Sequence, residues 1–266
     1  MTVLSITEAS LAFGGIKALD DVSFTAASGE ITAIIGPNGA GKTSLFNIIS
    51  GFYTPQKGRI LFDEQDITGM RADKRAALGI ARTFQNIALF RGMSVLENIK
   101  LGGHTRLNTG FWSAGFYYGN AQREEARLRA EIERDVIDFL ELDHIRKAPV
   151  GALPYGLQKR IELGRALAMQ PRVLLLDEPV AGMNREETED MARFILDIQA
   201  RWGTTILLVE HDMGMVMDIS NQVVVLNFGR QIAVGSPEQV QANPAVIEAY
   251  LGTSDRSDNT AGEAIA

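Results

Sequence analysis

The 266-residue chain contains no cysteine, which excludes disulfide bonds and thiolate metal sites and is compatible with a cytosolic protein. Long hydrophobic runs are also missing: stretches such as VLLL before Asp177 fall far short of the roughly 20 residues of a membrane-spanning helix. The N-terminal MTVLSITEAS lacks the basic and apolar blocks of a signal peptide. We therefore expect a chain that is soluble by itself and that works at a membrane only when other subunits hold it there.

An excess of positive charge is missing as well, since 33 acidic residues outnumber 26 basic ones and the formal net charge is −7. An acidic chain without a long basic run is a poor candidate for binding nucleic acid through its overall field. The three histidines are far apart in the sequence and show no ligand spacing, so they predict no metal site of their own.

Short aliphatic runs alternate with helical patterns, which predicts βαβ units and an α/β fold built on a largely parallel sheet. Ile31–Ile35, 173–176 and Thr205–Val209 read as buried strands, and a helix is expected from about Lys42 to Ser50, ending at Gly51. The runs VLSITEA, DVSFTA and GRILFD near the N-terminus predict more exposed, antiparallel strands.

The strand signal fades between about residues 86 and 170, which predicts a helical subdomain inserted into the α/β core. Within it, residues 121–142 have the apolar spacing of an amphipathic helix, carried by Leu128, Ile132, Val136, Phe139 and Leu140.

Two further segments have unusual composition. Residues 104–120 are rich in aromatics and glycine, which fits either a packed irregular loop or a surface for a partner. Residues 252–266 are polar and rich in small side chains, so we expect a disordered tail after one domain at 1–251.

The strongest chemical signal is a glycine-rich turn between a predicted strand and a predicted helix. It matches G-x-x-x-x-G-K-[ST], the pattern whose backbone N–H groups surround phosphate oxygens, and continues into Ser44. In this pattern Lys42 reaches the β and γ phosphates and Thr43 binds Mg²⁺. The matching residues are Gly36, Pro37, Asn38, Gly39, Ala40, Gly41, Lys42 and Thr43.

Acidic and histidine residues follow two other predicted strands. Asp177 ends an apolar run and suits a Mg²⁺ partner in a nucleotide site, while Glu178 can polarise the attacking water. His211 follows TILLVE and can contact the γ-phosphate or orient water.

These motifs together, in this order, resemble the ATP-binding subunit of an ABC transporter over about residues 3–251. They are the glycine-rich turn, Gln85 in ARTFQN, LPYGLQKR, LLLDEP and the Glu210-His211-Asp212 triplet. The AGMN turn at 181–184, the aromatic-rich insertion and the ending GSPEQVQANPAVIEAYLG are similar to the subunits of branched-chain amino-acid importers. The resemblance implies a P-loop ATPase core with an N-terminal antiparallel β-subdomain and an inserted helical subdomain.

The resemblance also implies roles for single residues. Phe13 would stack on adenine, although a core aromatic is the alternative. Gln85 would contact Mg²⁺ and the γ-phosphate and couple them to membrane subunits, although an ordinary polar loop residue is the alternative. Asp177 would hold Mg²⁺, Glu178 would be the catalytic base, and His211 would sense the γ-phosphate.

LPYGLQKR occupies the family's signature position, which faces the ATP held by a second subunit. The residues concerned are Leu153, Pro154, Tyr155, Gly156, Leu157 and Gln158. Pro154 stands where a serine hydroxyl normally binds the γ-phosphate, Leu157 stands where glutamine is usual, and Asn184 replaces the usual aspartate. A lost hydrogen bond to a charged group costs about 1.5–3 kcal/mol, or about one to two decades in rate. We therefore expect a heterodimer with a second ATPase subunit rather than a homodimer.

The implied partners are that second ATPase subunit, two membrane permeases and, indirectly, a solute-binding protein; no nucleic acid is expected. The implied location is cytoplasmic, peripheral on the inner face of the cell membrane. Alternatives are a urea or amide importer, a lipopolysaccharide-type exporter, a soluble ABC-type ATPase of DNA repair or translation, and a nucleotide-gated module that does not hydrolyse ATP. The transported solute is not encoded in this chain, because solute choice lies in the binding protein and the permeases.

Overall fold

The computed structural model describes residues 2–83, 88–106 and 120–257. Gln85, residues 107–119 of the aromatic segment and residues 258–266 of the predicted tail therefore lie outside the described residues.

The N-terminal strands form an antiparallel sheet in the order β2-β1-β4-β5. Its members are β1 (Thr2–Phe13), β2 (Ile16–Ala27), β4 (Lys57–Phe62) and β5 (Gln65–Asp66). Side chains along β2 alternate between buried and exposed, as expected for a sheet with one face on the core. The predicted antiparallel strands are thus confirmed.

A second sheet has six strands among the described residues, in the order β10-β9-β3-β8-β7-β6. They are β3 (Ile31–Ile35), β6 (Ile80–Arg82), β7 (Val173–Asp177), β8 (Thr205–Val209), β9 (Gln222–Asn227) and β10 (Arg230–Gly235). Every pairing is parallel except that of β9 with β10. All residues of β3, β7 and β8 are buried, which is why these strands read as continuous apolar runs in the sequence.

The described helices are α1 (Lys42–Ser50), α2 (Ala72–Ala77), α3 (Val95–Gly102), α4 (Asn120–Ile132), α5 (Tyr155–Leu167), α6 (Arg185–Trp202), α7 (Met213–Ile219), α8 (Pro237–Gln241) and α9 (Pro244–Ser257). The first of them ends at Gly51 in the left-handed conformation, as predicted. The last extends through residue 257, six residues into the segment predicted as a tail.

Helices and turns fill the described part of the chain between β6 and β7. Residues 121–142 do not form the single helix that their spacing predicts. After Ile132 the helix widens into a π-helical turn at Glu133–Ile137, closed by a hydrogen bond from Asp138 N–H to the Glu133 carbonyl. Val136 within this turn and Leu140 after it are both buried, as the predicted apolar face requires.

This helical region packs closely because two glycines lie where its helices touch. A Cβ at Gly102 of α3 would lie 1.8 Å from the Arg165 carbonyl oxygen of α5, and a Cβ at Gly164 would lie 3.0 Å from the side chain of Ile99. At Gly102 only glycine allows the two helices to approach this far, whereas at Gly164 a methyl group would require the Ile99 side chain to shift.

The strand register brings three chain segments to one edge of the central sheet. Val209 of β8 pairs with Ile34 of β3 on one side and with Asp177 of β7 on the other. The residues that follow these three strands therefore emerge side by side at the carboxyl edge, which is where parallel sheets place their ligand sites.

Candidate phosphate site at the carboxyl edge of the sheet

The turn after β3 is pressed against neighbouring backbone at both ends. Gly36 has a φ of 150°, and a Cβ there would lie 2.1 Å from the Leu226 carbonyl oxygen of β9. Gly41 has a φ of 104°, and a Cβ there would lie 2.5 Å from the Ala18 carbonyl oxygen of β2. Both positions require glycine, so the turn is fixed in shape by its surroundings.

Lys42 folds back over this turn. Its Nζ donates hydrogen bonds to the carbonyls of Gly36 at 2.6 Å and Pro37 at 3.0 Å, and the side chain is buried. Burial lowers the pKa of Lys42, while the nearby carboxylates of Glu178 and Asp177 act in the opposite direction. The amine is thus held in the centre of the turn by two weak neutral acceptors, which an anionic phosphate can replace.

The first turn of α1 is open to an anion. Gly41 stands at its N-cap position and no side chain caps it, while Thr43 is exposed and Ser44 is half-buried. Free N–H groups and the positive end of the helix dipole make such a terminus a binding place for phosphate.

Asp177 is held by a residue that the motifs did not point to. Its Oδ2 accepts a hydrogen bond from Arg82 Nη2 at 2.8 Å, and both side chains are buried, at 3% and 7% exposure. Arg82 Nη1 also donates to Asn47 Oδ1 at 2.7 Å and Ser50 Oγ at 3.1 Å, both on α1. Arg82 therefore ties the end of β7 to the helix that begins at the glycine-rich turn.

Glu178 and His211 are in direct contact. Glu178 Oε1 lies 2.8 Å from His211 Nε2, and Glu178 is strained, with a φ of 51°. An ionised carboxylate only accepts hydrogen bonds, so Nε2 carries the proton in this pair. The side chain of His211 is half exposed, whereas that of Glu178 is largely covered, and together they face the open edge of the sheet.

The LPYGLQKR segment starts α5 at the protein surface. Pro154 is its N-cap residue and makes no side-chain cap, and Tyr155 beside it is 45% exposed. From the same helix, Lys159 Nζ donates to the backbone carbonyl of Glu178 at 3.2 Å. This hydrogen bond joins the segment to the turn after β7 of the same chain, not to the glycine-rich turn. The uncapped N-terminus of α5 is exposed at the surface.

Two other residues named from the sequence have defined places. Phe13 is 45% exposed at the end of β1 and meets Tyr53 edge to face, with ring centroids 5.1 Å apart. It is a surface ring, not a core aromatic. Asn184 caps α6 in a capping box with Glu187, through reciprocal hydrogen bonds of 3.0 Å.

Sequence reasoning assigned no role to three residues of this edge, although all three lie within the motifs quoted above: Arg82, Lys159 and Glu210. Arg82 had a weak signal, a lone charge three residues before Gln85 in an otherwise uncharged run. Glu210 had the same signal as Asp177, a carboxylate directly after a buried strand. Lys159 had none, because its partner is a backbone carbonyl 19 residues away.

Comparison with known proteins agrees with this geometry. The ABC transporter family profile matches residues 19–181, and that of the branched-chain amino acid ATP-binding cassette transporters matches residues 230–256. The chain is 40% identical to the high-affinity branched-chain amino acid transport ATP-binding protein BraF of Pseudomonas aeruginosa, over 94% of this chain and 98% of the relative. It is 42% identical to LivG of Escherichia coli K12, a protein of the same description, with the same coverage.

Solved structures give the same picture. A nucleotide-free ATP-binding cassette from an ABC transporter superposes with a TM-score of 0.82 at 33% identity, covering 94% of this chain and 99% of the other. The ADP conformation of the ABC transporter cassette MJ1267 superposes with a TM-score of 0.82 at 34% identity, covering 95% and 99%.

Proposed function

The chain belongs to the ABC transporter family of ATP-binding proteins, and within that family we propose that it is the ATP-hydrolysing subunit of a branched-chain amino-acid importer. One observation carries the ATPase role: Lys42, Asp177 and the Glu178–His211 pair converge at the carboxyl edge of β3, β7 and β8. The solute is inferred from the relatives, which match along nearly the whole chain and are named for branched-chain amino acids.

The chemistry follows from what each group can donate or accept. The free N–H groups of the glycine-rich turn and of the first turn of α1, together with the Lys42 amine, bind the phosphates. Phe13 offers an exposed ring to adenine. Glu178 accepts a proton from the attacking water. The His211 Nε2–H, which now lies on Glu178, would transfer its hydrogen bond to a γ-phosphate oxygen and leave the carboxylate free to act as the base.

Mg²⁺ fits the donors that the described residues offer here. The Thr43 hydroxyl in the first turn of α1 and the Asp177 carboxylate are oxygen ligands of the kind Mg²⁺ prefers. Gln85 is assigned as a further ligand from the resemblance alone. When bound, the ion neutralises charge on the transferred phosphate.

Two ATPase chains would close head to tail over two ATP molecules. Each nucleotide then lies between the glycine-rich turn of one chain and the N-terminus of α5, residues 153–158, of the other. The exposed Pro154 and Tyr155 and the uncapped helix start are suited to that contact. None of the described helices has the length and apolar character to cross a membrane. Because the relatives are named as ATP-binding proteins of a transport system, we assign attachment at the inner face of the membrane to permease subunits.

Replacing Glu178 with Gln tests the ATPase mechanism. We expect binding of Mg-ATP within about two-fold of the original, and turnover lower by about 10²–10⁴-fold, the usual contribution of a general base. Binding is measured by calorimetry and turnover by phosphate release. Hydrolysis near the original rate would show that Glu178 is not the base.

Steady-state ATPase of the chain alone, against a mixture with a second ATPase subunit, tests the heterodimer. Because Pro154 offers no hydroxyl, a homodimer carries two weakened sites and a heterodimer only one, so the mixture should be faster. Full activity of the chain alone, unchanged by the partner, would contradict the heterodimer.

A transport assay tests the solute. In vesicles containing the permeases, a binding protein loaded with leucine should stimulate ATP hydrolysis. Stimulation by urea instead would reassign the solute.

A further inference from the structure

A buried carboxylate lies beside the Glu178–His211 pair and has no part in the chemistry above. Glu210 directly follows the last residue of β8, and the residue is only 3% exposed. Carboxylates are rarely buried this deeply unless they are paired or hydrogen-bonded. Burial raises the pKa of Glu210, and backbone N–H groups oppose that shift.

The hydrogen bonds of Glu210 join two separate turns. Its Oε1 accepts the N–H of Val180 at 2.8 Å, two residues after Glu178. Its Oε2 accepts the N–H of His211 at 2.9 Å, and the Asp212 N–H contacts the same carboxylate. One carboxylate thus holds the turn after β7 and the turn after β8 together.

This link matters because the base and its histidine belong to different strand ends. Glu178 has a left-handed φ of 51°, a conformation that persists in a non-glycine residue only when its surroundings hold it. Three groups outside this turn anchor it: the Val209 carbonyl accepts the Glu178 N–H at 2.9 Å, Lys159 Nζ donates to the Glu178 carbonyl, and Glu210 accepts the Val180 N–H. Of these three, Glu210 is the one that also bonds the backbone of His211.

We propose that Glu210 is a positioning residue for ATP hydrolysis: it locks the turn carrying Glu178 to the turn carrying His211 and so fixes their mutual contact. The inference rests on the proposed ATPase function, because it assigns Glu210 to the base that the function requires. The inference also goes beyond the proposed function. Residues 180–184 lie near the start of α5, and Glu210 connects their turn to His211.

Glu210→Gln tests the acceptor character at nearly constant shape. An amide has one acceptor oxygen, and its NH₂ would face a backbone N–H, so the link to one turn is lost. We expect kcat to fall about 10- to 100-fold, since small misplacements of a catalytic group have effects of this size. KM for ATP should change less than about three-fold. Asp66→Asn is the matched control, because Asp66 Oδ1 accepts the Thr68 N–H at 2.8 Å in the distant β4–β5 hairpin, and it should leave both constants unchanged.

A double-mutant cycle separates positioning from general damage. If Glu210 acts through His211, then adding Glu210→Gln to His211→Ala should lower kcat less than two-fold further. An equal, independent fall in the His211→Ala background would overturn the inference, as would an unchanged kcat in the single variant. If Glu210→Gln does not fold, Glu210→Asp keeps the charge but shortens the reach, and an unaltered kcat in that variant would equally contradict it.

A measurement without ATP keeps this inference distinct from the proposed function. The chain has three histidines, so the imidazole ¹⁵N signal of His211 can be assigned by comparison with His211→Ala. In the nucleotide-free protein at fixed pH, Glu210→Gln should shift this signal toward that of a solvent-exposed ring, whereas Asp66→Asn should not. An unmoved signal would overturn the positioning role even if the enzyme hydrolyses ATP as proposed.

Discussion

Arg82→Met should lower the free energy of unfolding by an unusually large amount, because it leaves the buried Asp177 carboxylate without its counter-ion. Arg82 and Asp177 are both nearly inaccessible, and their hydrogen bond is 2.8 Å long. Removing one partner of a buried pair costs about 3–5 kcal/mol, since the remaining ion keeps its desolvation penalty without its counter-ion. The substitution also removes the hydrogen bonds that Arg82 gives to Asn47 and Ser50 on α1. We therefore expect the upper half of that range.

Urea unfolding, followed by circular dichroism and by tryptophan fluorescence, gives the free energy when the two transitions coincide. Arg185→Met is the control, because it breaks an exposed ion pair with Glu189. The two side chains of that pair are 93% and 66% exposed, so its loss should lower the free energy of unfolding by less than about 0.5 kcal/mol. Arg82→Met combined with Asp177→Asn removes both charges and should be more stable than Arg82→Met alone. If Arg82→Met costs no more than the control, or if the two losses simply add, the electrostatic reasoning is refuted.

Three further outcomes can be checked by standard assays. Gly102→Ala should lower the free energy of unfolding by about 1–3 kcal/mol, because the new methyl group meets the Arg165 carbonyl of α5. Gly69→Ala is the control, since a Cβ there has nothing within 4 Å, and equal effects of the two changes would contradict this packing. Phe13→Ala should weaken ATP binding by about 1–3 kcal/mol, the value of a base–aromatic stack, and calorimetry that finds unchanged affinity would remove Phe13 from the site. Pro154→Ser supplies the missing helix cap and hydroxyl, so the ATPase rate of the chain alone should rise by about ten-fold; a rate at or below the original would mean that the proline is not what limits it.

Local sequence patterns were sufficient to predict the strands and the helix that surround the candidate phosphate site. The strands β3, β7 and β8 are buried on both faces, so their residues had to be continuously apolar and were visible as such. The glycine-rich turn was visible because two of its glycines are required by contacts that no side chain fits. Lys42, Asp177, Glu178 and His211 were named as candidate site residues because they lie in the turn after β3 or at the ends of β7 and β8.

Packing decided the rest, because it depends on residues far apart in the chain. The amino-acid order showed which strand ends carry charge, but the sheet order and register place Glu178 2.8 Å from His211. Spacing predicted an amphipathic helix at 121–142, whereas the structure has an α-helix to Ile132 followed by a π-helical turn at Glu133–Ile137. Arg82 pairs with Asp177 across 95 positions and Glu210 bonds Val180 across 30, and long-range contacts of this kind leave no periodic trace in the sequence.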